Sequence, residues 1–148
     1  MSSRSELQRL VESRLRRATT AIDGLDQRAA AIFGVNRTDL RLLDLLASRG
    51  PLTAGALAGA AGMSTGGMTL ALDRIETAGY VQRQPNPKDR RSIVVRVTDR
   101  VDGPSREAFG SLQTWLTTAL ARYSSEQLEL LAEFLGSWGD VVEAALES

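Results

Sequence analysis

Near Tyr80 the spacing of apolar residues changes from every third or fourth position to every second, and that change limits what the chain can fold into. Before it come short segments with helical spacing, each opened by a capping residue and closed by glycine. After it come two β-branched runs, Tyr80-Val81-Gln82-Arg83 and Ser92-Ile93-Val94-Val95-Arg96-Val97. Between them lies Gln84-Pro85-Asn86-Pro87-Lys88-Asp89-Arg90-Arg91, a turn-rich and basic connection. The pattern predicts a β-hairpin with a long, positively charged tip, set behind a cluster of helices.

The helices are punctuated clearly. Asn36 or Thr38 can cap one that carries Leu40, Leu43 and Leu46-Ala47 and stops at Gly50-Pro51. Thr53 can cap a short one through Leu57 and Ala61, ended by Gly62. Ser64 or Thr65 caps the next, with Met68, Leu72 and Ile75 as its buried stripe and Gly79 as its stop. Ahead of these, Leu7, Val11, Leu15, Ala18, Ile22, Leu25, Ala29 and Ile32 form a heptad-like seam that Gly34 is placed to end. Gly24 weakens its middle, since an interior glycine costs about 1 kcal/mol relative to alanine. Beyond the hairpin, Asp102-Gly103-Pro104 reads as a helix restart with Pro104 at the first helical position. Its stripe is Phe109, Leu112, Leu116, Ala119 and Leu120. Ser124 and Gln127 form a capping box for a last helix bearing Leu128, Leu131, Leu135, Trp138, Val142 and Leu146.

Composition removes several functions. The 148 residues include no cysteine and no histidine, which excludes disulfides, thiolate zinc, thiol redox sensing and imidazole-based catalysis. No nucleophile–base pair or phosphate loop is recognisable, and no cofactor or metal is implied. No apolar run approaches the roughly 20 residues of a membrane span. Arg4, Glu6, Arg9 and Glu12 interrupt the place where a signal peptide would sit, so the chain is expected in the cytoplasm. The net charge is zero, yet residues 1–100 hold 16 Lys/Arg against 10 Asp/Glu and residues 101–148 hold 2 against 8. Six cations fall between Tyr80 and Arg100, either a polyanion-binding patch or a solvated charged face.

Helix, short helix, tight turn, helix and basic hairpin describe a winged helix-turn-helix, mainly α with a small β-hairpin wing. Such a fold suits DNA: a helix enters the major groove while the hairpin reaches the minor groove or the backbone. Ser64, Thr65, Gly66 and Gly67 place small residues and free N–H groups at the front of the fourth helix, which favours an anion there.

The segments Leu57-Ala58 to Met63-Ser64, Met68-Thr69 to Asp73-Arg74-Ile75-Glu76, Ala78-Gly79-Tyr80-Val81, and Asp89-Arg90-Arg91 before Val97-Thr98 carry a family likeness. Residues from about Asn36 to Thr98 resemble the DNA-binding core of the MarR family of bacterial transcriptional regulators. The resemblance implies a winged domain over 36–103 and a helical dimerisation region formed by 1–35 and 104–148. It places Thr65, Gly66, Gly67 and Thr69 on the exposed part of the recognition helix. It matches Arg91 to the wing arginine that enters the minor groove and Asp89 to the acidic residue that positions it. Lys88 and Arg90 would add phosphate contacts. The alternative for Asp89 and Arg91 is an ordinary hairpin ion pair. Arg74 is either a phosphate contact or a surface arginine beside Asp73.

Two features depart from the family pattern. Leu70 stands where many members carry a polar residue, and Gly66-Gly67 offers no side chain to read bases. The threonine after the wing is followed by Val101, with glycine only at Gly103, which leaves the start of the next helix open. The expected function is a homodimeric repressor on double-stranded DNA with an inverted-repeat operator, released by a small-molecule effector. The alternative is a winged-helix protein-interaction module that no longer binds DNA. Trp115 and Trp138 are expected as core anchors, with ligand stacking as their alternative, and a monomeric bundle is the alternative to a dimer.

Overall fold

Glycine and small hydroxyl or amide residues set the helix limits as expected, because each cap acts on backbone groups within four residues. The structure, a computed structural model, describes residues 3–146. Helix α1 (Arg4–Phe33) opens on a Ser3–Glu6 capping box, runs unbroken through Gly24 and ends at Gly34, whose φ of 66° is left-handed. Helix α2 (Arg37–Arg49) is capped by Asn36, not Thr38: the Asn36 side chain accepts from the Asp39 N–H at 2.8 Å. Helix α3 (Ala54–Ala61) is capped by Thr53 and closed by Gly62 at φ 63°. Helix α4 (Thr65–Thr77) is capped by Ser64, which accepts from the Gly67 N–H at 3.2 Å.

Strands β2 (Val81–Pro85) and β3 (Ile93–Val97) form the hairpin, in register from Val81 opposite Val97 to Pro85 opposite Ile93. A third strand was not expected. Leu52–Thr53 forms β1 and pairs antiparallel with β3, Leu52 opposite Val95, giving the order β1-β3-β2. Two residues carry too short a pattern to signal a strand, and only the presence of β3 makes one of them.

The core lies among α1 to α4 and the sheet. Met68, Leu72 and Ile75 are buried as expected, with Leu40, Leu43, Leu46, Leu57, Val81 and Val95. Two assignments change on α2. Leu42 is fully buried, whereas Ala47 is exposed. The end of α1 joins this core through Ala29, Ala30 and Phe33. The Tyr80 hydroxyl donates to the Phe33 carbonyl at 2.8 Å and the two rings stand 5.3 Å apart, tying the end of α1 to the exit of α4.

After the wing the chain turns earlier than expected. A 3₁₀ turn over Asp99–Val101, capped by Thr98, leads directly into α5 (Asp102–Leu120). Pro104 is therefore the third residue of the helix, still within the first turn where no N–H is required.

The described residues form two compact units, the first ending at Ala108 and the second beginning at Phe109. In the second unit, α6 (Ser125–Leu146) has the Ser124–Gln127 capping box, with bonds of 2.9 and 3.3 Å. Trp115, 63% exposed, and Trp138 are not core anchors within one chain. Leu131, Leu135 and Val142 are exposed too, and the expectation for the Leu146 side chain lies outside the described residues. In the first unit, Leu7, Val11 and Ile22 of α1 are likewise exposed.

Candidate nucleic-acid interface

The wing is ordered by its own short polar side chains. Asn86 accepts from the Lys88 N–H at 3.0 Å and donates through Nδ2 to Ser92 Oγ at 2.9 Å. The Ser92 N–H and hydroxyl both donate to the Asp89 carbonyl at 3.0 Å. Asp89 Oδ1 accepts from the Arg91 backbone N–H at 3.0 Å. Asp89 therefore engages the main chain of Arg91. The ordinary hairpin ion pair is absent: among the described residues neither Arg91, Arg90 nor Lys88 is ion-paired, and all three side chains are exposed. Asn86 and Ser92 were not singled out from the sequence. Their Asx-type turn chemistry was the available signal.

The base of the wing is locked to α4. Arg83 donates to Glu76 through Nε at 2.8 Å and Nη2 at 2.5 Å, and to Asp73 through Nη2 at 2.7 Å. Its backbone N–H also donates to Glu76 at 3.0 Å. The guanidinium hydrogen bonds hold the Glu76 carboxyl below the usual carboxylate range. Arg83 thus leaves the six-cation patch and neutralises two acids on the recognition helix. Gly79 (φ 84°) lets the chain leave α4, and the Arg100 side chain packs so close that a Cβ there would lie 2.9 Å from Cδ.

Arg74 has a different partner from either one expected. Its Nε and Nη2 donate to Asp39 Oδ2 and Oδ1 at 2.9 and 2.7 Å, while Asp73 is taken by Arg83. Asp39 is 1% exposed, the one buried charged residue among those described, and the bidentate pair bolts α4 to α2. Such a pairing across 35 positions of sequence has no local signature.

On α4 itself the Thr69 hydroxyl donates to the Thr65 carbonyl at 3.0 Å. Ser64 is occupied as the cap, and the Thr65 and Gly66 N–H groups have no intrahelical acceptor. The surface thus offers Thr65, two backbone donors, Lys88, Arg90 and Arg91 to a polyanion.

A separate cleft of about 270 Å³ lies at the α1–α2 junction, lined by Asp26, Arg37, Thr38, Leu40, Arg41 and Asp44. Asp44 is exposed on its outer side, and partial desolvation against the cleft wall, with the Asp26 charge nearby, raises its carboxyl to about 6. Arg37 is ion-paired with Asp23. Among the described residues no group of carboxylates is placed to hold a metal, and no helix is long and apolar enough to cross a membrane.

Comparison with known proteins agrees with this geometry. The MarR family model matches residues 35–93. The HTH-type transcriptional regulator YcgE of Bacillus subtilis is 36% identical over 146 residues, covering 99% of this chain and 95% of that protein. The regulator ML2140 of Mycobacterium leprae is 30% identical over 97 residues, 66% of this chain and 68% of its own length. Two solved structures share the fold at low identity. A mutant MepR from a multidrug-resistant clinical isolate of S. aureus has a TM-score of 0.72 at 14% identity, covering 89% of this chain and 96% of its own. Apo MarR of E. coli gives 0.54 at 18% identity, covering 93% and 96%. The chain belongs to the MarR family of winged helix-turn-helix, DNA-binding transcriptional regulators, which are not enzymes.

Proposed function

We propose that the chain acts as a homodimeric repressor that binds an inverted-repeat operator and leaves it when a small molecule binds. The observation that carries the DNA-binding part is the wing: its backbone is ordered by Asn86, Asp89 and Ser92, while Lys88, Arg90 and Arg91 stay exposed and unpaired. In this reading Arg91 enters the minor groove, positioned through its main chain by Asp89. Lys88, Arg90, Thr65, Ser64 and the Gly66-Gly67 backbone lie along phosphates, Thr69 faces the groove, and Arg74 acts through its Asp39 pair by holding α4 in place.

The dimer reading rests on α6. A 22-residue helix with no buried residue among those described lacks the tertiary packing that supplies most helical stability, and burying each of its leucines would contribute about 1.5–3 kcal/mol. A second copy supplies the missing surface, joining the helical region 1–35 and 104–148 of each chain. The effector would be sought first in the α1–α2 cleft. The same reading places the chain in the cytoplasm, beside chromosomal DNA.

Light scattering at micromolar concentration should give twice the 16.0 kDa of one chain. A clean single-chain mass would overturn the dimer. Selection from random duplexes should return an inverted repeat with half-sites about 34–36 Å apart. An asymmetric single site would overturn the paired geometry. The exposure of Leu70 favours a second reading, a protein-interaction module without DNA binding. Salt separates the two, since DNA binding weakens steeply as salt rises and counterions are released.

A further inference from the structure

The outward line of the recognition helix is unusually poor in polar side chains. Gly66, Leu70 and Asp73 succeed at steps of four and three, opposite the buried Met68, Leu72 and Ile75. Asp73 is held by Arg83 at 2.7 Å. Thr69, beside this line, has its hydroxyl proton committed to the Thr65 carbonyl. The N-terminal half of a recognition helix is the part that meets base edges. On that part of the line stand only a glycine and Leu70, which is 64% exposed.

Leucine brings no donor or acceptor. It gains free energy only by leaving water against another apolar group. Among the features that base pairs present in the major groove, the thymine 5-methyl is the apolar one. Gly66 lies one turn earlier on the same line, and a Cβ there would meet nothing of the protein within 4 Å. The space it vacates faces outward and permits close approach of the helix backbone to the groove floor.

We propose that Leu70 is a specificity-determining residue that reads thymine 5-methyl groups in the major groove, with Gly66 permitting the approach. This assignment rests on the DNA-binding reading above. It makes thymine preference at one or two positions per half-site a packing effect, distinct from the minor-groove preference set by the wing.

The test removes a methyl group from the DNA, not from the protein. An operator is selected with the full chain, and each thymine in turn is replaced by deoxyuridine, which keeps every hydrogen-bonding atom. One or two positions in each half-site should bind about fourfold more weakly, the equivalent of about 0.8 kcal/mol for a buried methyl-sized group. Substitution in both half-sites should give about fifteenfold. Thymines under the wing should be insensitive, because their methyl groups lie in the other groove. In Leu70→Ala the deoxyuridine penalty should vanish at the sensitive positions, with thermal melting unchanged because the side chain is exposed. Specific binding that ignores every deoxyuridine overturns the assignment and leaves the DNA-binding reading intact. A penalty that persists undiminished in Leu70→Ala also overturns it. If the chain selects no duplex, the DNA-binding reading fails and the assignment falls with it.

Discussion

Removing the Asp89 carboxylate should weaken operator binding, although it removes a negative charge from beside the DNA. Asp89→Ala deletes one exposed hydrogen bond, Arg91 N–H to Oδ1, and leaves the two Ser92 bonds to the Asp89 carbonyl in place. Such a bond is worth about 0.5–1.5 kcal/mol net, and solvent exposure puts this one near the lower end. The ordering it supplies must then be recovered when the wing binds. Against this stands the relief of repulsion. A phosphate about 10 Å away in a water-like dielectric interacts with a unit charge by about 0.4 kcal/mol before screening. Physiological salt, with a Debye length of about 8 Å, cuts that to about 0.1 kcal/mol. The ordering term wins by about 0.4–0.5 kcal/mol per wing, so a dimer with two wings should bind about four- to fivefold more weakly. Asp89→Asn keeps the Oδ1 acceptor and loses the charge, so it should bind slightly tighter than the parent. Fluorescence anisotropy with a labelled operator at two salt concentrations reads both variants. Higher salt should preserve the alanine penalty and erase the asparagine gain. Equal or tighter binding by Asp89→Ala, with an unchanged melting curve, would refute positioning through the main chain.

Three further outcomes follow from the same structure. Asp39→Ala, which removes the buried acceptor of two Arg74 hydrogen bonds, should lower stability by about 2–4 kcal/mol in a denaturant melt, and Asp39→Asn should recover only part of it; a loss below about 0.5 kcal/mol would show that the pair does not hold α4 to α2. Gly66→Ala should raise the melting temperature, because the helix gains propensity and the added methyl meets nothing, yet should weaken operator binding; changes of the same sign in both assays would contradict close backbone approach. Asp44 is raised from 3.8 to about 6, so its folded form holds a proton more tightly than its unfolded form. The resulting penalty is absent below about pH 3.8, grows as pH rises between the two values and is complete above about 6. Asp44→Asn should therefore stabilise the protein at about pH 7 and have little effect near about pH 4; a uniform shift at both pH values would argue against the raised carboxyl.

What could be read from the residues alone was whatever acts over short distances. Caps at Asn36, Thr53, Ser64 and Ser124, and left-handed stops at Gly34 and Gly62, bond to backbone groups within four or five positions. The alternation after Tyr80 and the cations of the connection located the wing for the same reason. Leu70 stood out only as an apolar residue where the family carries a polar one; its exposure came with the structure.

Partner choice was a matter for the tertiary structure. Nothing near Arg74 distinguishes Asp39, 35 residues earlier, from the adjacent Asp73, and nothing near Arg83 announces that it would neutralise α4 instead of joining the wing cations. Leu52–Thr53 becomes a strand only because β3 offers it an edge, and the Tyr80 hydroxyl finds the Phe33 carbonyl across 47 positions. Local chain chemistry determines where helices and turns begin and end, because those bonds close small loops. Which charges remain for DNA is decided only after the helices pack, because packing selects among several side chains of the right charge the one that arrives within about 3 Å.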